Sequence, residues 1–164
     1  MTEAAGRSPV AVIGLGNRMR SDDGLGPAVV DGLADVTDDR VELVVLDGDP
    51  TRLLATWDRR ALAVVVDAVV SGARPGTVHR VEGVPSRLES HRRSASSHAA
   101  GVAEAVDLGR VLGRMPERLV VFGVEVASLA LGPELSPEVM AAVPDVVDRI
   151  RQAVAGELAG SRSR

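Results

Sequence analysis

Two adjacent carboxylates, Asp22 and Asp23, stand inside a turn that also holds Gly14, Gly16, Gly24 and Gly26: Val10-Ala-Val-Ile-Gly14-Leu-Gly16 leads into Asn17-Arg-Met-Arg-Ser-Asp22-Asp23-Gly24-Leu-Gly26. Glycine turns that cradle phosphate present backbone N–H groups and a helix N-terminus to an anion. Two aspartates largely cancel that potential, so this turn suits a cation. One of the pair can cap the helix that follows, since aspartate at an N-cap accepts a backbone N–H. Capping needs only one aspartate, however, and leaves the glycines unexplained. A third carboxylate, Asp67, ends the apolar run Ala61-Leu-Ala-Val-Val-Val66, and Glu125 follows Val120-Val-Phe-Gly-Val124. A charge at the end of such a run is costly to desolvate unless it meets a cation or is well hydrogen-bonded. Asp67 therefore reads either as a ligand or as a satisfied polar cap on a buried strand.

Among the histidines, His79 lies within Thr77-Val-His-Arg-Val81 and His91 beside two arginines, and both read as surface residues. His98 differs, because it follows Ser94-Ala-Ser-Ser97 at the start of a helix. There the helix dipole disfavours protonation and keeps the imidazole neutral, as metal ligation requires. Two carboxylates and one imidazole make a partial coordination shell for a divalent metal, with positions left for water or for a partner's ligands.

Composition narrows the chemistry. The 164 residues suit one domain, spanning 1–164, with flexible ends at 1–8 and 158–164. The absence of cysteine removes disulfides, thiolate nucleophiles and thiolate zinc sites. All 19 basic residues are arginine, which excludes a phosphate-loop lysine and a Schiff-base lysine. A formal charge of −4, with no arginine-lined face, makes nucleic acid and anionic membrane poor partners. No apolar stretch reaches the roughly 20 residues of a membrane span, and a cytoplasmic location is expected. There is no Gly-x-Ser-x-Gly elbow and no His-Glu-x-x-His helix.

The elements that must position these residues follow from periodicity. Val10–Gly16, Val41–Leu46, Ala61–Val66 and Leu119–Val124 are continuous apolar runs, as in central strands covered on both faces. Leu25, Val29 and Leu33 recur at helical spacing with Pro27 in the first turn, and Thr51–Asp58 fits a short helix burying Leu53, Leu54 and Trp57. The connection Ser71–Gly76 is too short for a parallel crossover, so Thr77–Val81 returns antiparallel. Pro85–Ser97 reads as a surface loop carrying Arg87, Arg92 and Arg93, and a third helix runs from His98 to about Gly113. Ser136 reads as the N-cap of a closing helix with Pro137 in its first turn, carrying Val139, Val143, Val147, Ile150 and Val154. The fold class expected is α/β: a three-layer α/β/α sandwich around a mostly parallel, mixed central sheet of about five strands. In such sheets ligands gather beyond the carboxyl ends of the strands, which is where the acidic positions fall.

The ordered set Gly14-Leu-Gly-Asn17, Arg20-Ser-Asp22-Asp23-Gly24-Leu-Gly26, Val66-Asp67-Ala68, Ser97-His98 with Gly101, Gly123-Val-Glu125 and Leu135-Ser-Pro-Glu138 resembles the [NiFe]-hydrogenase maturation endopeptidase family over about Val10 to Ile150. The resemblance implies an aspartic-type endopeptidase that trims a C-terminal extension from the hydrogenase large-subunit precursor once nickel has been inserted. It also implies a metal-recognition site formed by Asp23, Asp67 and His98, with Asp23 or Asp67 assisting hydrolysis as a base. Asp23 is a permitted variant of a position that takes Glu or Asp, whereas Arg18 and Val126 depart from residues often apolar and often proline. Nickel would come with the substrate, and no organic cofactor is implied. Two other readings compete: a nucleotide-binding module, and a non-catalytic scaffold on the same fold. The first fits poorly, because Met19 stands where the third glycine of a dinucleotide fingerprint belongs.

Overall fold

The computed structural model describes residues 8–82 and 97–161, with the backbone alone for 97–100. The sheet contains β1 (Val10–Leu15), β2 (Val41–Leu46), β3 (Leu62–Val69), β4 (Val78–Glu82) and β5 (Arg118–Glu125), in the spatial order β2-β1-β3-β5-β4. All neighbours pair in parallel except β4 with β5. The expected antiparallel return is thus present, but β4 adds to the far side of β5 and not to β3. Among the described residues α1 (Leu25–Gly32), α2 (Pro50–Trp57) and α3 (Ser97–Leu112) connect strands, and α4 (Pro137–Gly160) follows β5.

Strand alternation sorts the core into two halves, one on each face of the sheet. Val10 and Val12 of β1 and Leu62, Val64 and Val66 of β3 pack against Leu25 and Val29 of α1 and Val139, Val146 and Ile150 of α4. The intervening residues Ala11, Ile13, Leu15, Ala63 and Val65 pack against Leu53, Leu54 and Trp57 of α2 and Val102, Ala105 and Val106 of α3. The result is the α/β/α sandwich that the sequence implies. Among the described residues no helix is long and apolar enough to cross a membrane.

Three local expectations are corrected. Val41–Leu46 is an edge strand, not a central one, and Val45 is 41% exposed; the run is as apolar as a buried strand, but among the described residues no strand flanks its outer side. β3 extends to Val69, so Asp67 lies within the strand. α4 runs to Gly160 and Leu158 packs against the core, so residues 158–160 of the flexible end expected at 158–164 are helical. The serine and arginine segment 85–96, His91 included, lies outside the described residues, as do 1–7 and 162–164.

Candidate functional site

The parallel strands β1, β2, β3 and β5 all end on one edge of the sheet, and the acidic positions are gathered there. After β1 the chain makes a 3-10 turn, Ser21–Gly24, and enters α1 directly. The glycines permit the chain to fold onto itself at this point. Gly16 has φ +135°, a conformation L side chains rarely adopt, and a Cβ there would lie 1.8 Å from the Asp23 carbonyl oxygen. A Cβ on Gly26 would lie 2.2 Å from the Leu15 carbonyl oxygen, so α1 can approach the end of β1 only without a side chain.

The two adjacent aspartates have different surroundings. Asp22 is 0% exposed, and its oxygens accept four hydrogen bonds: from the Ala127 and Ser128 N–H groups at 2.9 Å each, the Ser136 N–H at 2.6 Å and the Ser136 hydroxyl at 2.7 Å. Burial pushes its carboxyl up, but the bonds from Ser136, Ser128 and Ala127 outweigh it and hold Asp22 below the usual aspartate range. Asp23 is also buried, and its Oδ2 accepts from the Asn17 N–H at 2.8 Å. Neither aspartate caps the helix that follows, because both the 3-10 turn and α1 begin without a side-chain cap. Ser136 stands at the N-cap of α4 as expected, and its hydroxyl donates to Asp22.

Asp67 is 2% exposed and follows Ala63 and Val65 on the sheet face that α2 and α3 cover. Its Oδ1 is buried with no hydrogen-bond partner among the described residues. Burial, and after it the negative charge of Asp23, push the Asp67 carboxyl well above the aspartate range; a bond from the Ala68 N–H opposes them. The polar-cap reading requires a satisfied carboxylate and does not describe this one. An acceptor left bare in a dry site, beside a second carboxylate, fits a place that a cation completes.

Glu125, the last residue of β5, answers the opposite description. It accepts from the Ser71 N–H at 2.7 Å, the Ser71 hydroxyl at 2.8 Å and the Gly72 N–H at 3.0 Å, with His79 Nε2 at 3.3 Å. Burial raises its carboxyl, and the bonds from Ser71, Gly72 and His79 bring it below the glutamate range. Glu125 thus ties down the chain just beyond Asp67, and His79 is a half-buried partner of that network, not a plain surface residue.

His98 is the second residue of α3. The start of that helix is fixed by backbone contact: a Cβ on Gly101 would lie 2.1 Å from the carbonyl oxygen of Gly48, two residues beyond β2. α3 therefore begins at the carboxyl edge of the sheet, on the face that carries Asp67. The His98 side chain lies outside the described ones, and among the described residues no group of three or more histidine, cysteine, aspartate or glutamate side chains converges on one point. The structure brings together Asp23 and Asp67 of the expected set. The sequence reading missed the roles of Asn17 and Ser71 and the side-chain role of Ser136; their only signal was a place in or beside a loop.

The model of the hydrogenase maturation protease family matches residues 27–153, a stretch that includes Asp67 and His98 and starts downstream of the acidic pair. The chain is similar to the Escherichia coli hydrogenase 2 maturation protease, with 30% identity over 88% of this chain and 90% of that one. It is 33% identical to the hydrogenase expression/formation protein HupD of Thiocapsa roseopersicina over 85% of this chain, a match that spans 64% of that relative's length. In three dimensions it resembles the Escherichia coli hydrogenase maturating endopeptidase HybD, with a TM-score of 0.78 at 27% identity, covering 92% of this chain and 93% of the other. The [NiFe] hydrogenase maturation protease HybD of Thermococcus kodakarensis gives a TM-score of 0.73 at 25% identity, covering 90% and 99% respectively. Fold, matched stretch and relatives agree, and the chain belongs to the hydrogenase maturation protease family of peptidases.

Proposed function

We propose that this protein is an endopeptidase that removes the C-terminal extension of a [NiFe]-hydrogenase large-subunit precursor after nickel insertion, and that Asp23, Asp67 and His98 recognise the nickel carried by that substrate. The observation that carries the proposal is the bare, buried Oδ1 of Asp67 beside the Asp23 charge. Alone, the pair is unfavourable, because burial and mutual repulsion oppose ionisation of Asp67. A divalent cation arriving with the precursor reverses that balance: Asp67 gives up its proton, both carboxylates become ligands, and a neutral imidazole at His98 adds a third. A precursor without nickel brings no such charge, and the scissile bond stays out of register with the carboxylates.

Hydrolysis then needs a water positioned at the scissile carbonyl. Asp23 or Asp67 takes the proton from that water as it attacks, and the leaving amine recovers a proton as the bond breaks. No organic cofactor is needed, and the reaction is placed in the cytoplasm. A nucleotide-binding role is disfavoured, since two buried aspartates in the turn oppose the approach of a phosphate. A scaffold without chemistry leaves the destabilising Asp67 unexplained. The test is intact-mass analysis of nickel-loaded precursor after incubation with wild type, Asp67→Ala and His98→Ala: wild type should release the extension and both variants should not. Processing at the wild-type rate by either variant would remove it from the site.

A further inference from the structure

We infer that Asp22 is a positioning residue: its buried carboxylate gathers the segment 127–136 against the glycine turn and so holds Asp23 at Asp67, an inference that rests on the peptidase reading of that site. Locally the turn has the Arg20 N–H on the Asn17 carbonyl at 3.1 Å, the Asp23 N–H on the Arg20 carbonyl at 3.0 Å and the Met19 N–H on the Asn17 side-chain oxygen at 2.9 Å. Ser21 has φ +46°, a left-handed conformation that costs a residue with a Cβ. The 3-10 turn it opens spans four residues and lacks a side-chain cap. A second set of bonds reaches the turn from across the chain. The Ser21 N–H donates to the Gly132 carbonyl at 2.6 Å, the Gly132 N–H to the Met19 carbonyl at 2.9 Å and the Asp22 N–H to the Ser128 carbonyl at 3.2 Å. The four bonds that Asp22 accepts from Ala127, Ser128 and Ser136 complete the lock.

This arrangement gives the adjacent acids separate tasks. Asp22 Oδ2 accepts three of these bonds and Oδ1 the fourth, so its carboxylate is committed to the segment 127–136, whereas Oδ2 of the neighbouring Asp23 accepts from the Asn17 N–H. One side of the turn is thus pinned by Asp22 to the start of α4, and the other by the Asn17 N–H to Asp23 itself. Loosening Asp22 frees the turn to rotate about Ser21, and it is Asp23, one residue on, that moves. A displacement on the order of 1 Å in a reacting group lowers turnover roughly tenfold to a hundredfold.

The test is steady-state processing of nickel-loaded precursor by wild type, Asp22→Asn, Ser136→Ala, Ser136→Thr and Gly32→Ala, with kcat normalised to the folded fraction. Asp22→Asn presents an amide N–H to donors and should lower kcat at least roughly tenfold, with KM changed by less than about threefold. Ser136→Ala, which deletes one of the four bonds, should lower kcat by a smaller factor in the same direction, and Ser136→Thr, which restores the hydroxyl, should recover it. Gly32→Ala crowds Val147 at 2.8 Å, between α1 and α4 and away from the site, so it should lower Tm while leaving kcat per folded molecule unchanged. Wild-type kcat in folded Asp22→Asn and Ser136→Ala, or a loss confined to KM, overturns the inference. Absence of cleavage by wild type itself would instead overturn the peptidase reading.

Discussion

Replacing Asp67 by asparagine should stabilise the protein progressively as pH rises, even as it abolishes processing. The folded state holds the Asp67 carboxyl well above its ordinary range through burial and the Asp23 charge, whereas the unfolded chain releases that proton near pH 4. Below about pH 4 both states carry the proton and Asp67 adds no pH dependence. Above it the unfolded state has lost a proton that the folded state keeps, so ionisation favours unfolding. The wild type then loses up to about 1.4 kcal/mol for each pH unit, until the folded carboxyl also ionises. Asparagine has nearly the same shape and does not titrate, so the variant escapes this loss. A domain of this size moves by about 2–4 °C in Tm per kcal/mol, and the gap between variant and wild type should widen by roughly 3–5 °C per pH unit. Burial of an amide with incomplete partners adds an offset of about 1–3 kcal/mol at every pH. The slope, not the offset, therefore carries the information. Calorimetric melts of both proteins at fixed ionic strength from pH 4 upward measure it. A Tm difference that stays flat, or that moves against the variant with rising pH, would refute the placement of Asp67 as a buried, repelled carboxyl.

Other outcomes follow from the same geometry. Glu125→Gln should cost about 2–4 kcal/mol near neutral pH, because it weakens charge-assisted bonds to Ser71 and Gly72. Since the folded carboxyl lies below its unfolded value, that contribution is present above about pH 4.3 and is lost as pH falls through the folded pKa, so the Tm gap should close in acid. Gly101→Ala places a methyl 2.1 Å from the Gly48 carbonyl oxygen. The start of α3 must shift and carry the His98 backbone with it, so processing should fall by a larger factor than a stability loss of about 1–3 kcal/mol explains. Paired melts and processing rates would show the split.

The layers, the helices and the antiparallel return follow from apolar periodicity and loop length, which act locally and are visible in one chain. What the sequence hides depends on distance. Val41–Leu46 has the composition of a central strand, and only the order of strands in the sheet puts it at the edge. Asp22 and Asp23 are chemically identical neighbours; they differ because the donors that saturate Asp22 arrive from Ala127, 105 residues away, and from Ser136, 114 residues away. Ser136 before Pro137 is a sound helix start, and it is one, but its hydroxyl donates to the buried Asp22 carboxylate and its oxygen accepts no N–H from the helix. Asp67 was legible as an acid at a strand end because six apolar residues precede it. That its buried Oδ1 finds no partner among the described residues was not, since this depends on everything packed around it.

The central claim is that cleavage waits for nickel in the substrate. Intact mass of a hydrogenase large-subunit precursor, nickel-loaded and nickel-free, after incubation with the wild-type protein tests it most directly. The account predicts loss of a C-terminal peptide from the nickel-loaded precursor alone; equal cleavage of both forms, or cleavage of neither, would contradict it.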